Sequence, residues 1–158
     1  MLSFEVTQAL LSVETVYHVR HPRAEDVVYT VRGVLMSATP KFHLVEGENG
    51  RELGVLSGNF LKTKYEVSDG TRPLANIVFP AVAFKKTLTL AMGEEVFEID
   101  GGVFRGIFRA EREGELLLEI AKVLSIRDTF AIQIREELPF QVGLLSAVAI
   151  HSRFYEMV

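Results

Sequence analysis

LPFQVGLLSAVAIHSRFYEMV closes the chain, from Leu138 to Val158, and its middle holds almost nothing polar. From Val142 to Ile150 only Ser146 is polar, so at helical spacing the apolar surface runs round the whole circumference and not along one stripe. Pro139 suits the start of such a helix, because its missing N–H is not needed in the first turn. A helix of this kind has to be enclosed on every side, by protein or by lipid. A bilayer span takes roughly 20 apolar residues, and this run is about half that before His151, Arg153 and Glu156 interrupt it. Protein is the remaining enclosure. Gly143, Ser146, Ala147 and Ala149 keep the helix thin, which suits a narrow channel. A closed β-barrel supplies a wall on every side and at the same time removes its own strand edges.

The rest of the chain reads as that wall. Turn signals recur at short intervals, at His21-Pro22, Glu46 to Gly50, Ser68-Asp69-Gly70, Met92-Gly93, Asp100-Gly101-Gly102 and Glu113-Gly114. The runs between them have strand character. Val27 to Val31 is β-branched and aromatic, while Lys64 to Val67 and Phe130 to Ile134 alternate. Many short strands with frequent turns predict an antiparallel barrel or sandwich and not βαβ units. Asn49-Gly50 and Asp69-Gly70 are expected at hairpin turns, since both dipeptides tolerate positive φ. Gly50 to Val67 and Glu113 to Ile132 also echo one another: turn, apolar strand, bulky pair, polar turn, aromatic strand. In that echo Phe60-Leu61 answers Val123-Leu124, and Tyr65 answers Phe130.

The bulk numbers bound the class. The 158 residues fit one domain, residues 1–158, long enough for a sizeable core. Hydrophobic residues make up 48% and charged ones 24%, which fits neither disorder nor a multi-span membrane protein. A net charge of -4 argues against general nucleic-acid binding, which needs a concentrated basic surface. Cysteine is absent, so disulfides, thiolate metal sites and thiol catalysis are excluded. The opening residues carry Glu5 and no basic residue before His18, so a secretory signal is not expected and a cytoplasmic setting is.

The segments YTVRGVLMSATPKFHLVEGENGRELGVLSG, KVLSIRDTFAIQI and GLLSAVAIHSRFYE resemble the tubby C-terminal-like superfamily. The likeness is nearer to the LURP-one-related proteins than to the phospholipid scramblases. Leu124 to Phe130 matches a Leu-Ser-x-Arg-Asp-Thr-aromatic stretch of the family's last strands, and Phe130-Ala131-Ile132-Gln133 with Phe154-Tyr155-Glu156 echoes the scramblase pattern. The resemblance covers most of the chain from about Tyr29. It implies a closed antiparallel barrel of about twelve strands around a central C-terminal helix, with 139–157 as that helix. Residues 1–19 match less clearly and read as a first strand or an extra helix. Scramblases carry an aspartate where His151 stands, and their cysteine cluster has no counterpart here. Their calcium-linked acidic segment finds only Asp128, Glu136 and Glu137, interrupted by Arg127 and Arg135. Calcium takes 6 to 8 oxygen ligands, so no metal or cofactor is expected.

No nucleophile elbow, HExxH, phosphate loop or dinucleotide fingerprint occurs, and an enzyme is not expected. His18 and His21 lie three apart, on opposite sides of any strand, and read as edge or loop residues. His43 reads as a partly exposed strand residue, His151 as a hydrogen-bonded structural residue at the barrel mouth, and Asp128 as a turn or strand-edge ion-pair partner of Arg127. The candidate ligand-binding residues are basic. Lys62, Lys64, Arg72, Lys85 and Lys86 form one group along the chain, and Arg105, Arg109 and Arg112 a second, with Glu66, Glu94, Glu95 and Glu111 positioned to offset them. Two functions follow as expectations. One is a non-enzymatic module that binds an anionic phospholipid or phosphoinositide at a membrane surface. The other is a protein-interaction or scaffold module without a small-molecule ligand.

Overall fold

The computed structural model describes residues 1–9, 13–81, 87–101, 106–124, 126 and 128–155. Twelve strands follow one another in the chain: β1 Leu2–Gln8, β2 Val16–Arg20, β3 Tyr29–Gly33, β4 Lys41–Glu46, β5 Glu52–Gly58, β6 Lys64–Ser68, β7 Pro73–Val78, β8 Thr87–Met92, β9 Glu95–Asp100, β10 Ile107–Arg112, β11 Glu115–Lys122 and β12 Thr129–Ile134. Each pairs antiparallel with its chain neighbours from β1 to β9 and from β10 to β12, and β12 pairs with β1. The free sides of β9 and β10 lie together, joined across the seam by Arg112 and Glu95 at 2.6 Å. The sheet is thus a nearly closed barrel. The opening residues form β1, whose Phe4 and Val6 face inward, so the extra-helix alternative for them falls away.

Alternation builds the interior. Phe42 and Leu44 on β4, Tyr65 and Val67 on β6, Leu88 and Leu90 on β8 and Phe130 to Ile134 on β12 bury every second side chain, while mostly polar, charged or small residues such as Lys64, Glu66, Thr89 and Gln133 take the outward positions. Helix α1, Phe140–Ile150, runs through this interior with Val142 to Ile150 all buried. Its thinness is needed. A Cβ on Gly143 would lie 2.4 Å from Ile134 Cδ1, closer than two carbons can approach. Residues His151–Tyr155 continue α1 as a π-helical turn.

Two ends follow from this arrangement. Strand β12 delivers the chain to the base of the barrel, where α1 enters with Phe140 stacked on Tyr29 at 5.1 Å between ring centroids. The chain leaves at the rim, where Phe154 and Tyr155 pack on Phe79, Phe108 and Phe130. Successive connections therefore alternate between base and rim.

The expected turns fall where strands reverse, with one difference in detail. Between β4 and β5 the left-handed residue is Gly47 (φ 58°) and not Asn49 or Gly50; Gly50 N–H donates to Glu46 O at 2.8 Å. At the β6–β7 turn Asp69 Oδ1 accepts from the Thr71 hydroxyl (2.7 Å) and from the N–H groups of Thr71 and Arg72 (each 2.9 Å). Those donors, the Thr71 hydroxyl foremost, hold the Asp69 carboxyl well below the usual carboxylate range. A lowered folded value means that the ionised form favours folding above the ordinary value of 3.8, and that this contribution fades as pH falls below it. Asp69→Asn is therefore expected to melt slightly below the wild type at pH 7, the two melting curves converging as the pH is taken below 3.8. A difference in Tm that stayed constant with pH would contradict it.

Candidate functional site

The two ends of the barrel differ in charge. At the base, four arginines pair with carboxylates: Arg51 with Glu46 (3.7 Å), Arg72 with Asp69 (3.4 Å), Arg135 with Glu115 (2.7 Å), and Arg112 with both Glu95 and Glu137 (2.6 and 3.2 Å), while Arg20 donates to the Glu25 carbonyl oxygen (3.1 Å). Glu95 is the main reason the Arg112 guanidinium is held above its ordinary range. Glu25, Asp26, Glu48, Glu94, Glu113 and Glu136 add further acid to this end. The rim carries Lys41 at the start of β4, Lys62 in the β5–β6 loop, Lys64 at the start of β6, Lys122 at the end of β11 and Arg153 on the terminal turn. Lys41 and Lys64 are exposed and have no ion-pair partner among the described residues. Lys122 Nζ lies 4.1 Å from the Tyr155 ring centroid, and Arg153 donates to the carbonyls of Pro80 and Ala81 (2.8 and 3.3 Å).

The rim is also apolar. Leu35 and Met36 at the tip of the β3–β4 loop, Phe60 and Leu61 in the β5–β6 loop and Leu124 in the β11–β12 loop all point into solvent. Between the β3–β4 and β5–β6 loops opens a pocket of about 350 Å³, lined by Thr15, Val34, Leu35, Phe60, Lys62 and Ser152 among others. Lys62 Nζ reaches its floor, 3.4 Å from the Ser152 carbonyl oxygen.

Beneath the rim the terminal turn is tied to the wall by polar groups. His151 is 1% exposed; its Nδ1 lies 2.8 Å from the Tyr17 hydroxyl, and its Nε2 lies 3.4 Å from Asp128 Oδ1. Tyr65 donates its hydroxyl to Ser152 Oγ at 3.1 Å. The expectation of a hydrogen-bonded structural histidine at the mouth describes His151. Asp128 does sit in a turn, but its carboxylate faces this imidazole. Its expected partner, Arg127, lies outside the described residues.

The basic candidates separate. Lys62 and Lys64 stand together at the rim, whereas Arg72 is at the base, the length of β6 away. Arg109 is on β10 with its Nε 2.6 Å from Glu119 on β11, several strands round the wall. Lys85, Lys86 and Arg105 lie outside the described residues. Asp128 is at the rim end of β12 and Glu136 and Glu137 at its base end, so these carboxylates do not converge. No group of metal-ligating side chains occurs among the described residues, and no helix among them is long and apolar enough to cross a membrane. His21 stacks on Phe4 (5.2 Å) and faces Ser3 O, and His43 pairs with Glu52 on the outer wall. Burial, and after it the charge of Arg20, push the His18 imidazole below its ordinary value.

Lys41, Lys122 and Arg153 did not stand out in the sequence, and Phe60-Leu61 and Leu124 did so only within the internal echo and not as parts of one surface. Counting strand reversals would have found them, since every second connection of a meander falls at the same end. No protein-family model matches the chain, and no curated protein matches it in sequence.

Proposed function

We propose that this barrel is a non-enzymatic module that docks, rim first, on an anionic lipid surface such as one containing phosphatidylserine or phosphoinositides. The observation that carries the reading is the unequal charge of the two ends. Lysines gather at the rim, while at the base carboxylates outnumber arginines and four of those arginines are paired with them. A negatively charged membrane would attract the first end and repel the second, at about 1 kcal/mol for each basic residue near the surface. The relationship to tubby C-terminal-like and LURP-one-related proteins belongs to the same proposal, and the helix-filled barrel of twelve strands supports it.

Cosedimentation with vesicles tests the reading. Binding is expected to vesicles containing phosphatidylserine or phosphoinositide and not to neutral phosphatidylcholine, and to weaken from low to physiological salt. Replacing Lys41, Lys62 and Lys64 together by Gln should lower affinity roughly a hundredfold, and Arg51→Gln at the base should leave it unchanged. Absence of binding to anionic vesicles at low salt would sink the proposal and favour a protein-interaction role.

A further inference from the structure

Resting on that lipid reading, we propose that the rim does more than approach the headgroups: the tips of its β3–β4, β5–β6 and β11–β12 loops insert into the apolar margin of the bilayer. Large side chains at these tips are far more exposed than folding requires, Met36 at 103%, Leu124 at 81%, Phe60 at 77% and Leu61 at 68%. They stand on three separate loops, two of which border an open pocket, as projections and not as one flat or grooved face. Projections of this kind suit a medium that deforms around each of them, whereas a protein partner would need a matching pit for every tip. Their surroundings carry the complementary charge. The β3–β4 connection from Val34 to Pro40 contains no charged residue, and the exposed Lys41 and Lys64, at the rim ends of β4 and β6, flank the tips where headgroup phosphates would lie.

Met36 adds a second observation. It adopts a left-handed backbone (φ 57°) in which glycine or asparagine is the unstrained choice. A bulky apolar residue there gains nothing from the fold, since its side chain is fully in solvent. Membrane contact is a use that its side chain can have and that glycine would lack.

The chain contains no tryptophan, so Phe60→Trp and Met36→Trp each supply a single reporter. Val96→Trp, on the exposed face of β9 towards the base, serves as the control. On vesicles of phosphatidylcholine and phosphatidylserine the two rim reporters should shift to the blue and be quenched by lipids brominated along the chain, and the control should do neither. Met36→Gly should raise Tm by about 2–4 °C while weakening vesicle binding, and Phe60→Ser with Leu61→Ser should weaken it by roughly tenfold per residue. Because these side chains lie in solvent, a normal thermal transition in each variant separates lost docking from lost folding. Sedimentation with vesicles but an unshifted, unquenched emission from both rim reporters would overturn insertion while leaving the electrostatic reading standing. No sedimentation at all would remove both. Concentration-dependent self-association abolished by the Phe60→Ser, Leu61→Ser pair, without vesicle binding, would assign the rim to a second copy of this chain and equally overturn insertion.

Discussion

A chain ending at Leu138 is expected to show no cooperative unfolding transition and to bind hydrophobic dyes from the start. Deleting residues 139–158 removes the entire filling of the barrel. Val142, Leu144, Leu145, Val148 and Ile150 are fully buried, and burying side chains of this size contributes roughly 1.5–3 kcal/mol each. Their loss alone approaches the total stability of a domain of this length, about 5–15 kcal/mol. The strands lose as much again, because the inward faces of Leu44, Leu56, Val67, Ile77, Ile120 and Ile132 would line an open, wet channel. Nor can the wall collapse to close it, since neighbouring strands are hydrogen-bonded to one another almost all the way round. Calorimetry and near-ultraviolet dichroism of the truncated chain decide the matter. A soluble monomer with a sharp melting transition would show that the barrel stands without its helix.

The same residues explain why this part of the fold was legible in advance. A helix apolar on every face and too short for a bilayer leaves few solutions, and alternating strands name the enclosure. The repeat between Gly50–Val67 and Glu113–Ile132 also has a physical origin. The two segments are the β5–β6 and β11–β12 hairpins, on opposite walls of the barrel. Tyr65 and Phe130 both point inward against the terminal turn, one at Ser152 and the other at His151 and Tyr155. Phe60-Leu61 and Val123-Leu124 sit in the two rim loops above them.

The functional surface was less legible, because neighbourhood along the chain is a poor guide to neighbourhood on a barrel. Lys64 and Arg72 are eight positions apart, yet β6 carries them to opposite ends. Lys41, Lys62 and Lys122 are distant in sequence and share the rim. Strand boundaries show a similar effect on a smaller scale. Propensity favours a strand from Val27 to Val31, but β3 runs from Tyr29 to Gly33 because its partners on β2 and β4 fix its register.

His151→Phe is expected to lower stability by about 2–4 kcal/mol, a fall in Tm of roughly 4–16 °C. Phenylalanine matches the ring and fits among Tyr17 and Phe130, which already meet the imidazole edge to face, so packing changes little. What changes is the polar pairing: the Tyr17 hydroxyl loses the Nδ1 atom 2.8 Å away, and the Asp128 carboxylate loses Nε2. Weakening polar pairs that are shut away from water costs more than never having had them. A double-mutant cycle isolates that coupling. Tyr17→Phe alone should cost about 1 kcal/mol, and less in the His151→Phe background, because the pairing with Nδ1 has already been removed there. Additive losses would mean that the two side chains act independently. The three residues also join the feet of two rim loops, since Tyr17 follows the β1–β2 connection and Asp128 ends the β11–β12 connection. Asp128 accepts from the Gln8 N–H through its own carbonyl oxygen at 3.0 Å. His151→Phe should therefore speed hydrogen exchange at Gln8 more than at Leu56, four strands round the wall, a local loosening expected if His151 clamps the central helix to the surface above it.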